Sequence, residues 1–128
     1  MTGRRILPLY GVLLLLLVCG TVYYTLSSET EITPKQARSN RKQGLYDYIV
    51  DVRTDREWNQ EHLDLPQGVH IPIGELVTEL PKQIPDRSAR ILFVCKKGIR
   101  ASAVVVIAHK LGYKNVQSMT GNYKELVE

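Results

Sequence analysis

The chain has 128 residues, 44% hydrophobic and 23% charged, with a formal net charge of +4 and two cysteines. Two of the positive charges are Arg4 and Arg5 at the extreme N-terminus, so the remainder is nearly balanced and nucleic-acid binding has no electrostatic basis. Cys19 lies in an apolar run and Cys95 far downstream, which excludes a disulfide scaffold and a zinc site of ordinary spacing; no metal and no cofactor is expected.

Residues 1–5 form a short tail. Ile6 to Leu26 carries no charge and matches the length of about twenty apolar residues that crosses a bilayer core. Tyr23 and Tyr24 fall where an interfacial aromatic belt would lie. The reading is one transmembrane helix at 6–26 and a single-pass membrane protein. A cleaved signal peptide is the alternative, because Val18-Cys19-Gly20 offers small residues to a peptidase; the mature protein would then be secreted or periplasmic. The run continues past that point to Leu26, which favours the anchor. Arg4 and Arg5 argue for a cytoplasmic N-terminus, while Lys35, Arg38, Arg41 and Lys42 pull the other way.

Residues 27–31 read as a linker and 32–128 as one domain. Thr33-Pro34 opens a predicted helix, with Thr33 as its N-cap and Pro34 in the first turn, ending before Gly44. Tyr48 to Val52 is a predicted buried strand. Thr54-Asp55-Arg56-Glu57 has the capping-box pattern of a short helix through Gln60. His62 to Pro66 is a loop, Gly68 to Pro72 a short strand, and Glu75 to Leu80 a helix, followed by a surface connection holding Pro81, Pro85 and Asp86. Ile91 to Val94 is a buried strand, Ala101 to Leu111 a helix stopped by Gly112, Asn115 to Ser118 a last strand, and Gly121 to Glu128 a final helix. Strands alternating with helices predict an α/β domain: a mainly parallel sheet with helices on both faces.

In such a fold reactive groups collect at the carboxyl ends of the strands, where Cys95 and the Asp51/Arg53 pair both fall. Cys95 opens the loop Cys95-Lys96-Lys97-Gly98-Ile99-Arg100 between a strand and a helix. A thiol there meets backbone N–H groups, the positive end of a helix dipole and three cations, all of which favour an anionic sulfur. A lone cysteine after an apolar strand is more often buried core; Gly98 and the flanking cations turn the balance toward a nucleophile. Asp51 and Arg53 either line the pocket or form a structural ion pair. His62 and His70 have no acid-base partner at a useful spacing and read as supports of the fold. His109 reads as a surface or rim residue and Trp58 as a core anchor.

These landmarks come in an order that resembles a single rhodanese domain, the sulfurtransferase fold. They are Ile32-Thr33-Pro34, then Tyr48 to Arg53 with Glu57-Trp58, then His62-Leu63 and Gly68-Val69-His70-Ile71-Pro72. The loop from Cys95 to Ser102 and Leu111-Gly112-Tyr113-Lys114-Asn115-Val116 complete the set. The sequence departs from the family pattern at Glu61, where Gly is usual, at Gly121-Asn122 in place of Gly-Gly, and at the aromatic after that pair, whose place Tyr123 or Leu126 would fill.

The resemblance implies a rhodanese-type sulfurtransferase: Cys95 takes sulfane sulfur from a donor such as thiosulfate as a persulfide and passes it to a thiophilic acceptor, whether cyanide, a thiol or a protein. Lys96, Lys97, Gly98, Ile99 and Arg100 would bind the small anionic donor, with Arg100 clamping two of its oxygens. Asp51 and Arg53 would support the pocket. The loop is Cys-x4-Arg, whereas the related phosphatases use Cys-x5-Arg to wrap a larger anion, so sulfur transfer is favoured over phosphate or arsenate chemistry. A non-catalytic anion-binding or sensor domain is the competing class.

Overall fold

Parallel strands cannot be joined by tight hairpins, so each pair needs a crossover, and the helices read from the sequence supply them. The computed structural model describes residues 11–14 and 30–128. Its elements are β1 (Glu31–Ile32), α1 (Pro34–Lys42), β2 (Tyr48–Asp51), α2 (Asp55–Gln60), β3 (Gly68–His70), α3 (Leu76–Gln83), β4 (Ile91–Val94), α4 (Ile99–Lys110) and β5 (Val116–Met119). Single 3₁₀ segments cover Ile73–Glu75 and Tyr123–Val127. All strand pairs are parallel, in the order β1-β5-β4-β2-β3.

The pleat of β4 divides the core. Ile91 and Phe93 join one cluster with Leu76 and Leu80 of α3 and Val104, Val105 and Ala108 of α4. Leu92 and Val94 face the other way, toward Ala37 of α1 and Tyr123 and Leu126 of the last turn. Both faces of the sheet are covered, which is why β4 is apolar at every position rather than alternating. Phe93 is fully buried, and truncating such a side chain to Ala costs about 3–5 kcal/mol.

Both predicted N-caps form capping boxes, Thr33 with Gln36 and Thr54 with Glu57. Three differences from the sequence reading have physical causes. Helix α3 runs through Pro81 to Gln83 instead of stopping at Leu80. Pro81 forfeits a bond to the carbonyl of Val77, a residue 60% exposed, while fully buried Leu80 and Ile84 hold the last turn on the core. Strand β1 takes Glu31 from the expected linker and pairs it with Ser118; two residues are too few to show a period. The C-terminal segment is a 3₁₀ turn rather than an α-helix, with the Lys124 N–H donating to Asn122 Oδ1 at 2.9 Å.

The transmembrane reading of 6–26 falls outside the described residues except at 11–14, which are helical. Among the described residues no helix is long and apolar enough to cross a membrane.

Parallel pairing sorts the loops into two poles. Asp51 at the end of β2 and the segments after β2, β4 and β5, holding Arg53, Cys95 and Gly121, lie at the carboxyl-end pole. The segments before them, holding Asp47, Arg90 and Asn115, lie at the amino-end pole.

Candidate active site

Strand β4 ends at Val94 and delivers Cys95 to the carboxyl-end pole, 1% exposed. Helix α4 begins at Ile99, two residues earlier than the sequence reading, because Gly98 serves as its N-cap with φ +88°. The tight turn points two backbone donors at the sulfur. The N–H groups of Gly98 and Ala101 donate to Cys95 Sγ at 3.0 and 3.4 Å. Hydrogen bonds of this kind stabilise negative charge on the sulfur or on an atom attached to it.

Gly98 is required twice over. Its positive φ disfavours any side chain, and a Cβ there would stand 3.1 Å from both Gly121 N and Thr120 Cα. The loop is therefore pressed on the backbone that follows β5. The same junction is fastened by the Tyr123 N–H, which donates to the Cys95 carbonyl at 2.9 Å.

Lys96 and Lys97 are exposed at the mouth of the loop, and Ile99 projects into solvent at 75% exposure. Arg100 takes a different place from the one read in the sequence. Its Nη1 and Nη2 donate to Glu57 Oε1 and Oε2 at 2.6 and 3.0 Å, so the two-pronged face that could clamp a donor is occupied by a carboxylate of the same chain. The pair is partly exposed, 30% and 25% for the two side chains. Arg100 holds the Glu57 carboxyl down at about 2, with the Thr54 backbone and hydroxyl adding to the effect. In return Glu57 raises the Arg100 guanidinium above its usual value.

Sequence reasoning missed this role of Glu57. It was visible only as the last residue of the Thr54 capping box, and Glu57 Oε1 indeed accepts from Thr54 N and Oγ1 at 3.2 and 3.1 Å. One carboxylate thus caps α2 and grips the first turn of α4, a double use that no local spacing reveals.

Asp51 and Arg53 reach the same pole and satisfy each other. Arg53 Nη2 lies 2.8 Å from Asp51 Oδ2, with side chains 4% and 8% exposed. The Arg53 backbone N–H also donates to Asp51 Oδ1 at 2.9 Å. The remaining Nη2 proton goes to the Glu61 carbonyl at 2.9 Å, and the guanidinium stacks 3.7 Å over the Tyr123 ring. A buried pair with these further contacts holds neighbouring loops in place. The two side chains form the ion pair that the structural alternative describes, and of Tyr123 and Leu126 it is Tyr123 that places an aromatic ring after Gly121-Asn122, against Arg53.

Trp58 is not a core anchor. It is half-buried and sandwiched between two imidazoles, His62 at 3.9 Å and His70 at 4.6 Å between ring centres, both within 5° of parallel. His62 Nδ1 donates to the Trp58 carbonyl at 2.7 Å and His70 Nε2 to the Arg53 carbonyl at 2.8 Å; the carbonyl partners assign these tautomers. Both histidines support the backbone around the site. His109 lies at the opposite pole, where its Nδ1 meets the Tyr113 carbonyl at 3.1 Å. Among the described residues no three His, Cys, Asp or Glu side chains are grouped as a metal would need.

Comparison with known proteins agrees with this arrangement. The family model for the rhodanese-like domain matches residues 33–128. A rhodanese domain-containing protein of Drosophila melanogaster is 29% identical over 89 residues, covering 61% of this chain and 79% of that protein. Thiosulfate sulfurtransferase GlpE of Haemophilus influenzae is 29% identical over 93 residues, covering 73% of this chain and 83% of that one. Among solved structures, the human single-domain sulfurtransferase TSTD1 superposes with a TM-score of 0.63 at 24% identity, covering 75% of this chain and 93% of its own.

Proposed function

This chain belongs to the rhodanese-like domain family, and on that premise we propose that it moves sulfane sulfur from thiosulfate to a thiophilic acceptor through a persulfide on Cys95. The observation that carries the reading is one thiol in the domain with two backbone N–H groups aimed at it, those of Gly98 and Ala101. A relative named as a thiosulfate sulfurtransferase supports the choice of donor.

In the first step the Cys95 thiolate attacks the outer sulfur of thiosulfate. An S–S bond forms, the donor's own S–S bond breaks, and sulfite leaves with the electron pair. The product is Cys95–S–S⁻, whose charge the Gly98 and Ala101 N–H groups stabilise without reorganising. In the second step the acceptor, cyanide for instance, attacks the outer sulfur; thiocyanate departs and the thiolate returns. Charge and atoms balance in each step, so no further reactant is needed.

Lys96 and Lys97 draw the dianionic donor to the loop, and neutralising both lowers capture of donor. Arg100 works from behind the loop: gripped by Glu57, it fixes the first turn of α4, which carries the Ala101 donor. Asp51 and Arg53 support the pocket by joining the Glu61 carbonyl to the Tyr123 ring. The domain is held at a membrane by residues 6–26; a form secreted or periplasmic after cleavage is the alternative.

Incubation of the protein with thiosulfate should add the mass of one sulfur to the peptide holding Cys95, and cyanide should remove it as thiocyanate. Cys95→Ser should abolish both. Tight anion binding with no transferable sulfur would overturn the enzyme reading in favour of a non-catalytic anion-binding domain. Reporter fusions at each terminus and the intact mass of the mature protein test the anchor.

A further inference from the structure

The amino-end pole has a chemistry that sulfur transfer does not use. Helices that cross between parallel strands run back against them, so α1, α3 and α4 all end at this pole, beside the loops that lead into β2, β4 and β5. The topology brings together Arg41, Lys42, Arg87, Arg90, Lys110 and Lys114 from three separate stretches of chain, against the carboxylates of Asp47 and Asp86.

The two acids do not neutralise the surface. Asp47 is taken by Arg90 at 3.0 Å, and Asp86 Oδ1 accepts the Ser88 N–H at 2.8 Å. Lys42, Lys110 and Lys114 are exposed, and among the described residues none has a carboxylate within ion-pair distance. Helix C-termini favour nearby cations, which accounts for Lys42 and Lys110 individually. Arg90 is accounted for by Asp47, whereas Lys114, which precedes a strand, has neither explanation.

The chain's own path says what lies opposite this pole. Thr30 joins β1 here, its carbonyl accepting the Ser118 N–H at 2.7 Å. With Arg90, His109 and Lys114 it lines one cavity of about 530 Å³. Three residues, 27–29, separate Leu26 from Thr30, a stretch that spans at most about 14 Å. On the reading that residues 6–26 lie in a bilayer, this pole sits within one or two screening lengths of the lipid surface. The Cys95 loop, at the other pole, faces away.

We propose that the amino-end pole is a docking surface for anionic lipid headgroups. It orients the tethered domain with the Cys95 loop turned to the aqueous phase, where small donors and acceptors reach it. The proposal rests on the membrane-anchor reading and adds to it a partner, an acidic bilayer surface, and a fixed orientation.

The test uses the full chain reconstituted in vesicles of phosphatidylcholine, alone or mixed with phosphatidylserine. A fluorescent label is placed at Ser88→Cys or at Glu75→Cys, with Cys19 and Cys95 both replaced by Ser. A quencher carried on lipid headgroups should dim the Ser88 label about threefold more than the Glu75 label in the acidic vesicles. The contrast should shrink without phosphatidylserine and at high salt. Lys42→Glu with Lys110→Glu should remove the dependence on phosphatidylserine and leave thiosulfate turnover unchanged in the Cys95 protein.

Equal quenching at the two positions, or a contrast indifferent to lipid charge, would overturn the docking surface alone. Loss of the chain from phosphatidylcholine vesicles on alkaline carbonate washing would overturn the anchor, and the docking surface with it.

Discussion

The two poles of one sheet use their carboxylates differently, although each keeps exposed cations, Lys96 and Lys97 at the carboxyl end and three lysines at the amino end. At the carboxyl end, Asp51 is committed to Arg53, Glu57 to Arg100 and Glu61 to Lys124, all within 3.0 Å. At the amino end one such pair, Asp47 with Arg90 at 3.0 Å, stands beside exposed Lys42, Lys110 and Lys114. The same residue types therefore do different work. Paired, they hold a loop rigid enough to aim two N–H groups at one sulfur; unpaired, they remain free for something outside the domain. Net charge alone, +4 for the chain, hides this division.

The contrast can be broken at its strongest point. Arg53→Met would leave the Asp51 carboxylate buried beside Tyr123 with no cation, and should cost about 3–5 kcal/mol in urea unfolding. A cost under about 1 kcal/mol would mean that water reaches Asp51 and that the pair is not structural.

Gly98→Ala comes next. The strained φ and the contact with Gly121 and Thr120 should destabilise the protein by about 1–3 kcal/mol. Sulfur transfer should fall at least about tenfold, since a shifted loop misaims the Gly98 and Ala101 donors. Stopped-flow loading with thiosulfate measures the second effect separately from the first.

Glu57→Gln sharpens the comparison through pH. The carboxyl has its folded value held at about 2 against an ordinary 4.5. Its stabilising contribution is therefore fully present above about pH 4.5 and is lost as pH falls through about 2. With both side chains partly exposed, the contribution is about 1–2 kcal/mol. Denaturation of wild type and variant should differ by that amount near neutral pH and converge in strong acid. A gap that stays constant with pH would assign the effect to the Thr54 cap and not to the carboxylate charge.

The smallest effect belongs to the amino end. Lys42→Glu with Lys110→Glu should cost about 1 kcal/mol, because each lysine sits in the last turn of a helix and neither contacts a carboxylate in the domain. A larger loss would show that the lysines serve the fold itself and that the division between the poles is less clean.

Much of this molecule is legible locally. Both capping boxes, the buried strands and the Cys95 loop follow from residues within a few positions of each other, where side-chain length and backbone geometry decide the outcome. Strand ends moved by a residue or two, and β1 went unread because two residues have no period. What escaped the sequence reading joins distant segments. Arg100 and Glu57 lie 43 positions apart, and Arg53 finds Tyr123 only because the segments after β2 and β5 meet at one end of the sheet. Trp58, apolar and large, reads as core until the two flanking histidines are seen to cover it in place of aliphatic groups.

Residue order by itself determined the alternation of strand and helix, the N-caps Thr33 and Thr54 and the arrival of a thiol at the end of a buried strand. These depend on short-range sterics and on burial, which a linear chain carries in its pattern. Only the tertiary structure decided which charges are paired. Ion pairing is set by distances of a few ångströms between segments far apart in the chain, and the parallel sheet alone brings those segments together.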